Sequence, residues 1–449
     1  MTGASIAAVA AVVISFLILV ALRFHVGLSL MMAGIIGIIM LRSTGAAVST
    51  AANAPFSSAA DFSLVIIPLF ILMGIFAVRA GLAQAGFDIA SRLLRRLPGG
   101  SALASLAGSG LFAAVTGSSV ATVATLARVS TDAILRAGHS IKLAAGVVCA
   151  GGTLGVLIPP SIVLVLYGVV TEESIGQLLL AGIGPGILTI FAYAVTVMLL
   201  VVIARRKTAG TEESLIEREK AAAEEASTIR MDWMGGAFLG VIFAVSIGTI
   251  YLGVATPTEA ASFGALAALI ILIIRTKFGR LLGVLKDSLV EAIGLTSMTF
   301  LLLAGAGVFT YFLALSGASS ALVNTVISAD LAPYAVLVLC LAILLPLGMF
   351  LDGISMILIA APLLHPILTG YGFDAIWLGV LIVKVAEMAL ITPPVGMNVF
   401  VYSGTVKQVG LGTAFRGVVP FIVADIIVVA VLILFPDIIT FIPNLSSAS

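Results

Sequence analysis

Charge is what this sequence has least of: charged residues make up 10% of its 449 residues, whereas hydrophobic residues make up 61%. A soluble domain typically carries about 25% charged residues and about 45–50% apolar ones. A soluble globule of this length could not hide such an apolar surplus, because its surface would need many more polar side chains. The composition therefore excludes a soluble enzyme, a nucleic-acid-binding protein and a disordered chain. It predicts an all-α polytopic membrane protein.

Cysteine and histidine are also scarce, with 2 and 3 residues respectively. Cys149 and Cys340 lie in apolar runs far from any CxxC spacing, so we interpret them as small core residues rather than disulfide or metal ligands. No HExxH pattern occurs. The N-terminal apolar run lacks the basic residues that open a signal peptide, and its first cation, Arg23, follows it. We therefore expect a retained first helix whose N-terminus faces outside.

Long apolar runs are abundant, and a helix needs about 20 such residues to cross a bilayer. Two further apolar regions, 101–136 and 335–369, are interrupted by Gly, Ser, Pro or Asp, and each predicts a re-entrant helical hairpin. Residues 205–232 are rich in Ala, Glu, Lys and Arg, which favours an exposed linker helix. The predicted spans are 4–22, 25–41, 63–78, 141–170, 175–204, 233–252, 257–275, 291–315, 375–403 and 418–436.

The second half of the chain repeats the helix breaks of the first half at a nearly constant spacing. Gly-Ser-Ser at 117–119 corresponds to Gly-Ile-Ser at 353–355, and the Pro-Pro pair at 159–160 corresponds to the pair at 393–394. Such a shared offset predicts two structural repeats, each with a hairpin and a broken helix. The predicted organisation is a first repeat over 1–204 with its broken helix at 141–170, a cytoplasmic linker over 205–232, and a second repeat over 233–449 with its broken helix at 375–403.

The basic residues predict the orientation of the repeats. If the N-terminus is outside and each hairpin returns to its own side, every Lys and Arg except Arg42 and Lys384 lies inside, as the positive-inside rule expects. Segment 79–100 carries four arginines, whereas its counterpart 314–335 has no Lys or Arg and ends near Asp330. Equivalent segments of opposite charge character are expected on opposite faces. We therefore predict inverted-topology repeats that alternate access around a midplane site.

Segment 79–100 is also amphipathic, because its arginines alternate with leucines and alanines. This pattern predicts an interfacial helix at the inner leaflet. Bracing of a moving core and simple membrane anchoring both remain open for it.

Each predicted broken helix contains a Pro-Pro pair. Proline removes a backbone donor and frees a carbonyl of the preceding turn. Freed backbone at membrane depth is tolerated only where protein, water or a ligand satisfies it. With the hydroxyls of Ser161 and Thr392, these carbonyls are the hard oxygen ligands that a dehydrated Na⁺ needs. Kinks that serve only helix packing are the alternative interpretation.

Both hairpin tips are polar. Helices that begin at the tips would direct free N–H groups and positive dipole ends toward the midplane, which suits a carboxylate substrate. Hydroxyls that only allow close helix packing are the alternative. The polar residues are Thr116, Ser118, Ser119 and Thr122 at the first tip and Asp352 and Ser355 at the second.

Ionisable residues within spans are costly, about 2.5–3.5 kcal/mol each on insertion scales, so each needs an explanation. Asp352 is predicted to contact an ion or the substrate. Lys384 and Glu387 stand three residues apart on one helix, and a structural ion pair is favoured over a proton relay or a substrate contact. Glu259 is expected to have a structural role near a helix start. Asp425 is left without a role beyond facing a partner helix.

These residues resemble a known family, the large (M-type, DctM-like) membrane subunit of tripartite ATP-independent periplasmic (TRAP) transporters. The resemblance covers nearly the whole chain, and the segments that carry it are GSSVAT, LIPPSI, YLGVATPTEAA, LGMFLDGISMILIAAPLLHPI and ITPPVGMNVFV. It implies an elevator-type transporter of the ion transporter superfamily, in a bacterial inner membrane with both termini periplasmic. It also implies import of an organic acid with Na⁺, a periplasmic substrate-binding protein and a small four-helix membrane subunit, which we expect to be a separate chain.

The resemblance further implies two sodium sites, each between a hairpin tip and a broken helix. The first site would consist of Ser119, Thr122, Gly155, Ile158 and Pro160. The second would consist of Gly353, Ser355, Thr392, Gly396 and Met397. Substrate contacts are expected at Thr116, Ser118, Asp352 and Asn398.

Three other functions compete with this interpretation. A stand-alone ion-coupled carboxylate transporter would have the same architecture but need no binding protein. An intramembrane enzyme would need a HExxH, a GxSxG or a paired catalytic aspartate, and none occurs. A channel fits broken helices with closed hairpins less well than a carrier does.

Overall fold

The structure, a computed structural model, describes residues 3–207, 212–228, 231–328, 331–348 and 351–447. Within these ranges the chain is helical throughout, with no strand, which confirms the all-α prediction. Asp330, Arg230 and parts of the predicted linker and second hairpin tip lie outside the described residues.

The first half folds into helices that follow the predicted spans closely, and α3 is the exception. Its sequence is rich in Ser, Thr and Asn, so it contains no apolar run long enough to predict a span. Short 3-10 turns precede α4 and follow α8. The helices are α1 Gly3–Ala21, α2 Val26–Leu41, α3 Thr44–Ala59, α4 Ile66–Arg79, α5 Leu82–Leu94, α6 Gly100–Thr116, α7 Ser119–Arg136, α8 Ile141–Thr153, α9 Ile162–Thr171, α10 Ile175–Ala181 and α11 Ile183–Lys207.

The predicted linker contains helix α12, Glu212–Thr228. In the second half, α16 begins well before the predicted span because its polar first turns do not read as membrane sequence, and α23 was not predicted. The helices are α13 Trp233–Phe243, α14 Thr249–Tyr251, α15 Pro257–Arg275, α16 Phe278–Ser316, α17 Ala318–Ser328, α18 Pro333–Gly348, α19 Gly353–Gly370, α20 Ala375–Ala389, α21 Met397–Thr405, α22 Leu411–Leu434 and α23 Asp437–Ser447.

Several helical segments are long and apolar enough to cross a membrane. Within the described ranges there are 7 by length and composition, and shorter apolar helices accompany them. The long segments are Phe62–Arg79, Ile175–Arg206, Trp233–Tyr251, Pro257–Arg275, Phe278–Ser316, Gly353–Gly370 and Leu411–Leu434.

The two predicted hairpins and the two predicted breaks are present. Helices α6 and α7 meet at Gly117, whose φ of +59° a residue with a side chain rarely adopts. Helices α18 and α19 form the second pair. The breaks separate α8 from α9 at Pro159-Pro160 and α20 from α21 at Pro393-Pro394. Proline therefore interrupts both helices where the sequence placed the interruption.

The same helix contacts recur in the two halves. Both helices of the first hairpin, α6 and α7, pack against α8, as α18 and α19 pack against α20. The hairpins also exchange partners, because α7 packs on α21 and α19 packs on α9. Each hairpin therefore touches both broken helices, and this exchange brings the two tips together. The inverted orientation and the domain boundaries remain predictions.

A second group of helices surrounds this core. Helix α16 runs along α2, α3 and α4, and α4 also packs on α15. The crossing of α2 and α16 is so close that a Cβ added to Gly305 would lie 2.0 Å from the carbonyl oxygen of Gly27. Backbone contact of this kind needs glycine on both helices. We call α2, α3, α4, α15 and α16 the frame.

The predicted interfacial arm is helix α5. It buries Leu82, Ala85, Phe87 and neighbouring small residues, and it packs against α6 of the first hairpin and against α13. The arm therefore braces the hairpin in addition to any contact with lipid.

Two smaller predictions also hold. Cys149 and Cys340 are buried and free, as expected of small core residues. Glu259 forms a capping box with Thr256 at the start of α15, which is the structural role expected of it. Next to α15, the side-chain hydrogen bond from Arg275 lowers the pKa of Asp232, which lies just before α13.

Candidate functional site

The first hairpin tip lies against the first broken helix. Gly117 approaches so closely that an added Cβ would lie 3.0 Å from the carbonyl oxygen of Pro160. Ser118 caps α7, because its hydroxyl accepts a hydrogen bond from the Ala121 N–H at 3.4 Å. The buried Thr122 hydroxyl donates to the Ser118 carbonyl at 2.8 Å and lies 3.3 Å from the Thr116 hydroxyl. Hydroxyl and carbonyl oxygens therefore cluster where the tip meets the break.

The second tip carries a carboxylate in place of the capping serine. Asp352 occupies the N-cap position of α19 but forms no capping hydrogen bond with the described residues of the first turn. The Ser355 hydroxyl donates to Asp352 Oδ1 instead. The carboxylate therefore remains available on its other side for a ligand.

Glu387, on α20, connects the two tips. The Ser119 hydroxyl of the first tip donates a hydrogen bond to Glu387 Oε2. A Cβ added to Gly353 of the second tip would lie 3.0 Å from Glu387 Oε1. The Glu387 residue is only 1% exposed. One buried carboxylate therefore touches the first turn of α7 and the first turn of α19, and sequence reasoning did not place it in the site.

The predicted ion pair between Lys384 and Glu387 is wrong. Lys384 Nζ instead pairs with Asp425 Oδ1 of α22, and both residues are almost completely buried. Asp425 Oδ2 accepts a hydrogen bond from the Tyr193 hydroxyl at 2.7 Å, and Tyr193 lies 3.1 Å from the Thr153 hydroxyl. Asp425 therefore faces partner helices, as expected of it.

The reason for the different pairing is physical. Two buried carboxylates compete for one ammonium group, and a buried charge is tolerated only when it is paired and hydrogen-bonded. Asp425 takes Lys384, while Glu387 is turned toward the hairpin tips and takes the Ser119 hydroxyl. Three-residue spacing makes contact between Lys384 and Glu387 possible but does not exclude a better partner from another helix.

A cavity of about 410 Å³ lies between the two tips and the frame helices α4 and α16. The frame side is mostly apolar, but it includes Arg79 and Glu291, which form an ion pair at 2.8 Å. The polar core side of the cavity contains Thr116, Ser118, Ser119, Asp352, Gly353, Glu387 and Met397. The structure therefore brings three of the four predicted substrate residues, Thr116, Ser118 and Asp352, to one cavity. Residues of both predicted ion sites line the same cavity, Ser119 from the first site and Gly353 and Met397 from the second.

The remaining predicted residues are not among the described residues that line this cavity. The Thr392 hydroxyl donates to the Met388 carbonyl at 2.7 Å, and Gly396 adopts a φ of +57° at the second break. Ser355 bonds to Asp352 as described. The others off the cavity wall are Thr122, Gly155, Ile158, Pro160 and Asn398.

Asn398 is the member of the predicted substrate set that lies elsewhere. It is fully buried at the start of α21, and its side-chain N–H donates to the Cys149 carbonyl at 3.3 Å. Its Oδ1 has no hydrogen-bond partner among the described residues. A Cβ added to Gly152 would lie 3.3 Å from Asn398 Nδ2 and 3.1 Å from the Ser119 carbonyl, so Asn398 lies beside the first tip.

The oxygen atoms that could coordinate a cation around both breaks belong to hydroxyl, carbonyl and carboxylate groups. In transporters, unwound helix segments coordinate a dehydrated Na⁺ through oxygens of this kind. The unpartnered Asn398 oxygen fits the same chemistry, because a buried acceptor without a partner is costly unless a donor or cation meets it. The arrangement can therefore hold a monovalent cation and, at the helix N-termini, an anion.

Comparisons with known proteins cover nearly the whole chain. The family model described as "Tripartite ATP-independent periplasmic transporter, DctM component" matches residues 13–438. The C4-dicarboxylate TRAP transporter large permease protein DctM of Pseudomonas aeruginosa is 33% identical over 88% of this chain and 87% of that protein. The sialic acid TRAP transporter large permease protein SiaM of Vibrio cholerae is 29% identical over 94% of this chain and 95% of that protein.

A solved structure shares the fold at low sequence identity. The YdaH transporter of Alcanivorax borkumensis superposes with a TM-score of 0.59, at 15% identity, over 87% of this chain and 89% of that chain. The sequence comparisons show a multi-pass membrane transport protein and not an enzyme, and the solved structure shows the shared fold alone.

Proposed function

The chain belongs to the DctM component family of tripartite ATP-independent periplasmic transporters, and on that premise we propose that it is the membrane subunit of a Na⁺-coupled symporter that imports an organic acid. The two relatives described above are named for C4-dicarboxylates and sialic acid, which are carboxylic acids. A carboxylate is therefore the substrate class that we assign to this chain.

The observation that carries the proposal is the meeting of both hairpin tips at Glu387. Helices α7 and α19 both begin at the cavity, where their free N–H groups and positive dipole ends favour an anion. The carboxyl groups of Asp352 and Glu387 line the same cavity. An anionic substrate would be repelled by these carboxylates unless a cation accompanied it. Electrostatics alone thus gives a reason for coupling: Na⁺ neutralises the site that the carboxylate then enters.

Two Na⁺ ions are assigned as co-substrates, one at each meeting of a tip with a break. Around the first break, Asn398 Oδ1 joins the predicted set of Ser119, Thr122, Gly155, Ile158 and Pro160, since this oxygen is buried beside the first tip and lacks a partner among the described residues. Around the second break, the set is Gly353, Ser355, Thr392, Gly396 and Met397, with the Asp352 carboxylate adjacent. We therefore assign Asn398 to the first Na⁺ site and not to the substrate.

The division of the helices suits an elevator mechanism. The hairpins and broken helices form one packed core, and the frame meets that core across an apolar cavity wall. In the proposal the core moves against the frame in a bacterial inner membrane, with both termini periplasmic. A periplasmic binding protein delivers the substrate, and a small four-helix subunit contacts the frame.

Uptake into proteoliposomes tests the coupling. Vesicles that hold this chain, its small subunit and its binding protein are expected to accumulate the organic acid only when an inward Na⁺ gradient is imposed. Equal uptake driven by K⁺ or H⁺ gradients alone would contradict the Na⁺ assignment. Leaving out the binding protein separates the tripartite system from a stand-alone carrier, because only the stand-alone carrier would keep its activity.

Replacing Asp352 tests the site. The Asp352→Ala variant is expected to abolish uptake while remaining monodisperse and thermally stable, because the carboxylate makes no capping bond to α19. Asp287→Ala, which removes an exposed carboxylate from α16, is the matched control and should transport normally. Near-normal uptake by Asp352→Ala would remove this residue from the site.

A further inference from the structure

A second cavity, of about 470 Å³, lies away from the hairpin tips. It is bounded by the arm helix α5 and the residues after it, the base of the first hairpin, the segment between α7 and α8, the end of α11 and the linker helix α12. The positive-inside rule places these segments on the cytoplasmic side. None of the residues proposed for substrate or Na⁺ lines it, so the transport proposal leaves this cavity unexplained.

The lining of this cavity is strongly cationic. Two acidic residues, Glu219 and Glu225, face five cationic ones in the lining, which are Arg95, Arg96, Arg136, Arg205 and Lys220. Glu219 pairs with Arg205, whereas Arg96, Arg136 and Lys220 form no ion pair within the described part of the chain. The arrangement therefore has more positive charge than its own carboxylates can neutralise.

Three buried polar atoms at this cavity also lack hydrogen-bond partners. They are Ser101 Oγ, His139 Nε2 and Arg205 Nε, for which no described residue supplies a partner. His139 Nε2 lies 3.3 Å from Glu219 Oε1, but in a geometry that makes no hydrogen bond. Leaving a buried donor unsatisfied costs about 1–3 kcal/mol, so three such atoms on one cavity wall indicate a missing acceptor.

We propose that this cavity binds the phosphate group of an anionic ligand. A phosphate carries several strong acceptor oxygens and forms charge-assisted hydrogen bonds with arginine, so it can satisfy the unpartnered Arg205, His139 and Ser101 atoms at once. Either an anionic phospholipid headgroup or a soluble phosphate compound presents this chemistry. Basic pockets between membrane helices on the cytoplasmic side are suited to lipid headgroups, and the amphipathic arm α5 borders this one.

Occupancy would have a mechanical consequence. The cationic residues come from four separate elements: Arg95 and Arg96 follow α5, Arg136 ends α7, Arg205 lies near the end of α11, and Lys220 lies on α12. A bound phosphate would therefore tie the linker helix and the arm to the base of the first hairpin. This role is independent of the substrate and ion sites.

Binding to the purified full-length chain in a neutral detergent tests the proposal. Dispersed short-chain phosphatidylglycerol and inorganic phosphate serve as separate probes, with binding followed by native mass spectrometry and titration. The double variant Arg96→Gln/Arg136→Gln is expected to weaken binding at least about tenfold. The double variant Arg280→Gln/Lys286→Gln removes the same charge from exposed positions of α16 and should bind as the parent does.

A third variant changes binding in the opposite direction. Glu219→Gln removes the carboxylate that pairs with Arg205, so more positive charge faces the ligand and binding should strengthen several-fold. This variant also serves if the double variant fails to fold, which thermal unfolding in detergent would reveal. A structural ion pair alone would give no gain in binding.

The outcomes separate the two sources of phosphate and test the site itself. Lipid binding that inorganic phosphate cannot displace supports a headgroup site, and displacement by inorganic phosphate supports a soluble ligand. Equal losses in both double variants would overturn the proposal, because surface charge would then explain binding. Failure of the parent chain to bind either probe, or weaker binding by Glu219→Gln, would overturn it as well.

Discussion

The two hairpin tips share a backbone design but differ in charge. The first tip is neutral, and Ser118 caps its helix. The second tip has Asp352 at the same position, without a capping bond to the described residues of α19. The second broken helix also carries Lys384 and Glu387, whereas the first has no ionisable carboxylate within its helices α8 and α9. The two halves therefore share the positions of their helix breaks but differ in the charged side chains at those breaks.

The neutral tip nevertheless contacts a carboxylate, because Glu387 of the second half reaches Ser119 of the first. Glu387 belongs to the second half of the chain, and its carboxyl group contacts both hairpin tips.

The largest expected effect concerns the structural charges of the second broken helix. Lys384→Met leaves Asp425 buried without its cation, and removing one partner of a buried pair typically costs about 3–5 kcal/mol. The free energy of unfolding, measured by denaturation in detergent, should fall by that amount. The double variant Lys384→Met/Asp425→Leu should recover most of it, because Tyr193 keeps Thr153 as a hydrogen-bond partner. A single variant as stable as the parent would show that the pair is not structural.

Glu387 gives the next largest effect, and it should appear in transport and not in stability. Glu387→Gln removes the charge but keeps an oxygen that can accept from Ser119. We expect Na⁺-driven uptake to fall roughly 10- to 100-fold, the size of one lost interaction with a charged group. The half-saturating Na⁺ concentration should rise accordingly.

The matched control for this variant is Glu172→Gln, which removes an exposed carboxylate at the end of α9. It should leave uptake unchanged. Unchanged Na⁺ dependence in Glu387→Gln would mean that the first tip works without the charge of the second half.

The two tip serines compare the halves directly. Ser119 donates to Glu387 and Ser355 donates to Asp352, so Ser119→Ala and Ser355→Ala each remove one hydroxyl from one carboxylate. Each is expected to raise the half-saturating Na⁺ concentration roughly 5- to 10-fold. In the Glu387→Gln background Ser119→Ala should have a smaller effect than it has alone, because the Ser119 hydroxyl then loses a bond to a neutral amide oxygen and not to a carboxylate, whereas Ser355→Ala should keep its full effect. Additivity in both combinations would argue against the contact between Ser119 and Glu387.

The smallest effect concerns capping. Ser118→Ala removes the side-chain cap of α7 and should lower the free energy of unfolding by about 1 kcal/mol. Asp352→Asn should leave stability unchanged, because Asp352 caps nothing in the first turn of α19. Thermal unfolding of both variants in detergent provides the measurement. A larger loss in Asp352→Asn would reverse the assignment of structural and ligand-binding roles to the two tips.

Much of the fold could be predicted because a few local residues determine where its helices break and turn. The Pro-Pro pairs at 159–160 and 393–394 remove two adjacent backbone donors and interrupt their helices, and Gly117 allows the turn of the first hairpin. Helix α3 was not predicted because its segment, although part of the frame, is rich in Ser and Thr and has no long apolar run. Helices and their ends could therefore be predicted wherever residues close in sequence determine them.

The site was only partly predictable, because its central contact joins residues that are distant in sequence. Ser119 and Glu387 are 268 residues apart, and no spacing rule relates them. Local spacing even suggested the wrong partner for Lys384, since it could not reveal that Asp425 would be buried beside it. The polar tip residues were found because a cluster of hydroxyls in an apolar chain is visible without the fold.

The exchange of hairpin partners also bears on how such a chain could originate. Helix α7 rests on α21 and α19 rests on α9, so neither half covers its own hairpin without the other. If the chain arose by gene duplication, a half-length ancestor would have exposed an unpaired hairpin face as a monomer. It could have closed that face only with a second copy of itself, as an obligate homodimer whose subunits were interlocked. The linker would then have converted two dependent polypeptides into one, and severing it should still leave halves that assemble when they are made together.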